Sequence, residues 1–219
     1  MIERAEKRTI EKIKDGRIET EPSATERFIT ELENTFNEDE GTGEIIFKAR
    51  TPRDRGQDSP EHEYGADICA VLKVNLREYQ QTKGILVQAK WGNGDFTVRL
   101  PIRPFTSVEF NEKSEVKRLQ GQVSKMLEIT PDSFVIVYST KGFVVVPATS
   151  VKGLATNGEL YGKPVSSFFK EYLMCFVGDP NLTAYDDATL DALRKAKNAR
   201  YGILFHVYEE GRQQFDMHR

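Results

Sequence analysis

Apolar positions along this chain switch between a helical period and a strand period, and the switches mark its elements. Phe28, Ile29, Leu32 and Phe36 recur on one helical face. Pro22 suits a first helical position, and Ser23 and Glu26 have capping-box spacing, so a helix from about 22 to 37 is predicted, closed by the acidic stretch around Gly41 and Gly43. Glu44 to Thr51 reads as a strand and Pro52 to Pro60 as a loop. Ala66 to Val74 and Gly84 to Trp91 are Val-, Ile- and Leu-rich runs of strand length, joined by a polar excursion through Asn75 and Thr82, and they predict neighbouring central strands.

Helical spacing returns at Val116, Leu119, Val123 and Met126, with Asn111 as cap and a stop before Pro131. Phe134 to Tyr138 and Phe143 to Val146 flank Thr140-Lys141-Gly142 and predict a hairpin. An aromatic-rich helix follows near Ser166 to Phe176. Asp186 and Asp187 open a last helix ending in Arg194, Lys195 and Lys197, the charge order its dipole prefers, and Tyr201 to Tyr208 supplies a final strand. There is no internal repeat. The element order predicts a mixed α/β sheet in one domain over 21 to 219. Residues 1 to 20, dense in charge with sparse apolar positions at Ile2, Ile10, Ile13 and Ile18, predict a detached helix or a partner-exchanged arm.

Composition narrows the function classes. With 38% hydrophobic and 30% charged residues the chain is of ordinary globular type, and no apolar run is long enough to cross a bilayer. The charged start Met1-Ile2-Glu3-Arg4 carries no apolar signal segment, and Cys69 and Cys175 sit in apolar surroundings without ligand spacing; a reducing cytoplasm is expected. A net charge of −3 argues against nonspecific coating of nucleic acid, so any polyanion must be held locally. The local basic clusters are Lys48, Arg50, Arg53 and Arg55; Lys113, Lys117 and Arg118; and Arg194, Lys195, Lys197 and Arg200. Solvated helix faces explain most such clusters equally well.

Strand parity isolates the chemistry. Within Ile85 to Trp91, Ile85, Val87, Ala89 and Trp91 share one face while Leu86, Gln88 and Lys90 share the other. A Gln and a Lys inside an apolar central strand are costly to bury unless something satisfies them, and Asp67 poses the same problem at the head of the preceding strand. If the strands are neighbours, a carboxylate, an amide oxygen and an ammonium converge. Such a set suits phosphodiester hydrolysis assisted by a hard cation. Taken singly, Asp67 also suits a turn after Gly65, and Lys90 also suits a strand end where its stem is buried and its ammonium reaches water. No phosphate-cradling loop of Walker type is present.

At Tyr64-Gly65-Ala66-Asp67-Ile68 and Ile85-Leu86-Val87-Gln88-Ala89-Lys90-Trp91 the sequence resembles the PD-(D/E)XK nuclease superfamily, in its Mrr-like restriction-endonuclease branch, where Gln replaces the second acidic residue. The resemblance spans roughly Ser23 to Val146 and implies a restriction-endonuclease-like mixed central β-sheet flanked by helices. It implies Asp67 as metal ligand, Gln88 as a weaker neutral ligand and Lys90 as catalytic, with Mg²⁺ or Mn²⁺ as cofactor. Glu26-Arg27-Phe28-Ile29 is similar to the family's Glu-bearing first core helix, so Glu26 is the expected supporting carboxylate. No Pro precedes Asp67, and Glu61-His62-Glu63 offers further ligand-capable groups, so Glu63 stands beside Glu26 as the residue completing the site. Arg53, Arg55, Lys113, Lys117 and Gln120 are the expected phosphate contacts. The implied activity is DNA endonucleolysis by a prokaryotic restriction or anti-phage defence effector, acting as a homo-oligomer or with a partner defence protein and away from membranes. The alternatives are a catalytically inactive scaffold or sensor of the same fold, and an RNA or structure-specific nuclease.

Overall fold

The computed structural model describes residues 1–38, 45–51, 66–92, 96–99, 106–155 and 158–209. The predicted α/β architecture is present: a mixed nine-stranded sheet, among the described residues, with helices on both faces. Helices α1 (Ile2–Lys14) and α2 (Glu21–Glu38) lead into strands β1 (Ile45–Arg50), β2 (Ala66–Asn75), β3 (Gln80–Trp91), β4 (Phe96–Arg99) and β5 (Thr106–Phe110). Helix α3 (Lys113–Ile129), strands β6 (Ser133–Tyr138) and β7 (Val144–Pro147), helix α4 (Ala148–Lys152), strand β8 (Gly158–Pro164), helices α5 (Val165–Leu173) and α6 (Asp187–Ala196), and strand β9 (Ala199–Glu209) follow. The sheet order is β1-β9-β2-β3-β6-β7-β8-β5-β4.

The two apolar runs are central because both their faces are covered, which is what a continuous Val/Ile/Leu run requires. Ile68, Ala70 and Leu72 of β2 and Ile85, Val87 and Ala89 of β3 pack beneath α1, α2 and α5. Cys69 and Val71 of β2 and Leu86 of β3 face Met126 of α3 and Leu190 of α6. β2 pairs antiparallel with β3 and parallel with β9, and β3 pairs parallel with β6 across the α3 crossover. The predicted hairpin is β6 and β7, antiparallel with Ile136 opposite Val145.

Three elements depart from expectation. The N-terminal segment is not detached: Ile2, Ala5, Thr9 and Ile13 form a buried stripe on α1, Arg8 reaches Glu31 and Glu38 of α2 at 3.4 and 3.1 Å, and the Glu6 carboxylate accepts the Phe143 N–H at 2.7 Å. Two of the four buried positions are Ala and Thr, small enough for close helix contact but invisible to a search for large apolar residues. Helix α2 begins at Glu21 rather than Pro22, and the residue before it, Thr20, accepts the Ser23 N–H at 3.4 Å. Ser23 therefore lies inside the first turn and cannot cap it. Glu112, not Asn111, caps α3 through the Ser114 N–H at 3.3 Å.

β4, β5 and β8 extend the sheet beyond what periodicity marked, and the short helix α4 lies between β7 and β8 in the chain. Gly162 lets β8 approach closely, since a Cβ there would meet Val144 Cγ1 at 2.6 Å and the Val145 carbonyl at 2.7 Å.

Helix α2 is fixed to the sheet by Phe28, 1% exposed, whose ring meets those of Phe143, Tyr138 and Phe169 at centroid distances of 5.3, 6.2 and 6.3 Å. Phe28→Ala removes that anchor and should cost about 3–5 kcal/mol, read as a lower urea midpoint at unchanged slope.

Candidate functional site

The backbone ladder between β2 and β3 ends at Ile68 opposite Val87, and one step further Asp67 faces Gln88. There the side chain takes over from the main chain: Asp67 Oδ2 accepts the Ala89 N–H at 2.7 Å and a short hydrogen bond from Gln88 Nε2. Parity runs as predicted. Ile85, Val87 and Ala89 enter the core beneath α2 and Trp91 packs against its edge, so Gln88 and Lys90, 2% and 3% exposed, are buried on the opposite face. The Gln88 Oε1 atom is buried without a hydrogen-bond partner, a penalty that a well-packed core would not retain without cause.

Lys90 reaches a carboxylate on the first core helix, and it is Glu21: Nζ lies 3.5 Å from Oε1, with side chains 4% and 27% exposed. Because α2 starts after Thr20, Glu21 is its first residue and overhangs the end of β3. Glu26 lies five residues on, about 140° around the helix axis, and is partly buried. Thr20 and Ser23 at N-cap spacing, followed by an acid at the first helical position, are the sequence signal that points to Glu21.

Burial pushes the Asp67 carboxyl above its ordinary range, against the Ala89 N–H, the Lys90 and Arg200 charges and the Gln88 amide, all of which pull it down. Burial likewise raises Glu21, opposed by Lys90 and reinforced by the like charge of Asp67. Two carboxyls that repel each other thus share Lys90 as a positive neighbour, with Arg200 acting on Asp67 and Arg118 on Glu21.

The remaining expected residues divide. Lys113 and Lys117 are exposed on α3. Gln120 is committed elsewhere, its amide donating to the carbonyls of Val151 at 3.2 Å, of Lys152 at 3.4 Å and of Leu154, at the end of α4. These bonds satisfy carbonyls at a helix end. Arg118, exposed and paired with Glu115, is the α3 residue whose charge is felt at Glu21. Arg53, Arg55 and Glu63 lie outside the described residues.

No group of three His, Cys, Asp or Glu side chains suited to a metal occurs among the described residues. The oxygen donors that converge here are two carboxylates, Asp67 and Glu21, and one amide, Gln88. Both hydrogen bonds to Asp67 fall on Oδ2, which leaves Oδ1 for a cation, and the unpartnered Gln88 Oε1 is a second buried acceptor. A donor set made only of oxygen matches a hard divalent ion.

The raised Asp67 carboxyl has a consequence for stability. The native state holds its proton more tightly than the unfolded chain does, so stability falls as pH rises from the unfolded value, about 3.9, through the native one. Asp67→Asn removes that loss and should raise Tm near pH 7 relative to wild type, with the difference shrinking toward pH 3; thermal melts across that range in EDTA would show it. No protein-family model, curated protein or solved structure matches the chain.

Proposed function

We propose that the chain is a metal-dependent endonuclease that hydrolyses phosphodiester bonds of DNA. The observation that carries this reading is the placement side by side of a half-buried Asp67 and the buried Gln88 and Lys90 at the end of two apolar strands, with Glu21 reaching Lys90 from the start of α2. The order α2, β1, β2, β3, α3, β6 also follows the order expected from the PD-(D/E)XK resemblance, and the restriction-endonuclease-like fold is part of the same proposal.

In this reading Asp67 Oδ1, Gln88 Oε1 and Glu21 would hold Mg²⁺ or Mn²⁺, which would supply the charge that polarises a phosphoryl group and acidifies a water. Lys90 is fixed by Glu21 in a place shielded from bulk solvent, where its ammonium orients the attacking water and offsets charge building on the phosphate as the bond opposite breaks. Leu86 and Met126 close the floor on the α3 and α6 side, so that these charges act where water screens them poorly. Restriction or anti-phage defence, action as an oligomer or with a defence partner, and a cytoplasmic setting follow by family analogy. No described helix is long and apolar enough to cross a membrane. Cys69 and Cys175 are free, and burial pushes the Cys69 thiol up to about 12.

The inactive-scaffold reading has one observation of its own: the Gln88 amide turns its nitrogen, not its oxygen, toward Asp67. Binding of a cation through Oε1 requires the amide to flip, which a scaffold never needs.

A plasmid-cleavage assay with Mg²⁺ or EDTA decides between them. Lys90→Ala and Asp67→Asn should each lower cleavage at least about 100-fold while leaving the protein folded, and Glu21→Gln should cost more than Glu26→Gln. Lys90→Ala cutting as well as wild type would end the assignment.

A further inference from the structure

The basic cluster at 194 to 200 is not one patch. Arg194 and Lys195 both bind Asp191, the latter at 2.6 Å, which ties them to their own helix. Arg200 differs: it is exposed, and among the described residues no carboxylate lies within ion-pair distance of it. Its place is nonetheless fixed. Its carbonyl accepts from Arg194 Nη1 at 3.4 Å, and its guanidinium carbon lies 5.4 Å from the centre of the Tyr201 ring.

That place is beside the site. β9 runs parallel to β2 with Ala199 opposite Ala66 and Tyr201 opposite Ile68, so Arg200 sits alongside Asp67 on the neighbouring strand, about 4.8 Å away at the backbone. Tyr201 in turn donates its hydroxyl to the Pro22 carbonyl at 3.5 Å, next to Glu21. The start of β9 and the start of α2 are thereby tied together, with an arginine held at the rim over an aromatic face. A guanidinium presents paired donors that match phosphate oxygens, and stacking on a ring orients it at little entropic cost.

We propose that Arg200 anchors a phosphodiester group of the substrate strand adjacent to the one presented to Asp67 and Lys90, with Tyr201 as its positioning residue. The proposal rests on the nuclease reading for the identity of the neighbouring phosphate, and on the placement of Arg200 for the anchor itself. The competing role for Arg200 is to offset the charge of Asp67, since its positive charge lowers the Asp67 carboxyl. That role touches stability and cation binding, and leaves the salt dependence of DNA binding alone.

The test is fluorescence anisotropy of a labelled DNA duplex titrated with the full chain in EDTA over a KCl series, paired with cleavage kinetics in Mg²⁺. Arg200→Ala should bind about ten-fold more weakly and lower the slope of log affinity against log salt by about one. In cleavage, KM should rise by a similar factor with kcat little changed. Arg200→Lys should keep the slope and recover part of the affinity, which separates loss of the anchor from loss of fold, and Lys195→Ala should match wild type.

Arg200→Ala with wild-type slope and KM overturns the anchor even if the plasmid is cut. So does failure of the wild type to bind the duplex, or an equal effect of Lys195→Ala. Binding whose slope depends on Arg200, in a protein that cuts nothing, supports the anchor and removes the nuclease reading instead.

Discussion

The site is a cluster of four polar groups at one end of an apolar sheet, Gln88 and Lys90 buried and Asp67 and Glu21 partly so, that meet the cost of desolvation mainly through one another and the Ala89 N–H. At the 3.5 Å separation of Lys90 and Glu21, an effective dielectric of about 20 gives a gross attraction of roughly 5 kcal/mol. Removing two ions from water costs several kcal/mol each, so the pair comes near to breaking even and gives the fold little. Asp67 receives two donors on one oxygen, which offset only part of its burial, while the Gln88 oxygen receives none. Leucine or valine at these strand positions would pack without penalty. Residues that the core would discard are retained where they have work to do.

What holds that arrangement is α2, and α2 is held from both sides. Beneath it, Phe28 locks into the aromatic cluster of Tyr138, Phe143 and Phe169. Above it, α1 is clamped by Arg8 bridging Glu31 and Glu38, and Arg27 shares the buried Glu31. The position of Glu21 over Lys90 is thus set by contacts two and three helical turns away. The Tyr201 hydroxyl adds a closer tie, joining the first turn of α2 to β9.

The sequence made the central strands legible because their period and length are unambiguous. A two-residue alternation fixes which side chains share a face, so the pairing of Gln88 with Lys90 follows from the sequence alone. The supporting carboxylate was harder. A helix turns 100° per residue, and the choice between Glu21 and Glu26 depends on where the first turn closes; two hydroxyl residues, Thr20 and Ser23, competed for the cap. The docking of α1, expected as a detached helix or arm, escaped notice because Ala5 and Thr9 bury without looking apolar, and β8 did so because its burial alternates only between half-buried and exposed residues. Gln120 shows what spacing leaves out: it fits a phosphate contact by its place on α3, while in the structure its amide donates to the carbonyls at the end of α4. Local chemistry with a nearby backbone group outcompetes a distant ligand that sequence alone cannot weigh.

The neutral amide at Gln88 follows from the same accounting. Asp67 and Glu21 already repel, and their ordinary ionisation is opposed by burial. A third carboxylate in place of Gln88, 2% exposed and within hydrogen-bond distance of Asp67, would add a buried like charge, and the fold would then depend on a cation to be stable at neutral pH. With glutamine there, two negative groups face Lys90 and the nearby Arg200, and the charges balance before any cation binds. The amide instead donates its nitrogen to Asp67, and a neutral group at this position lets the cluster fold without a further buried charge.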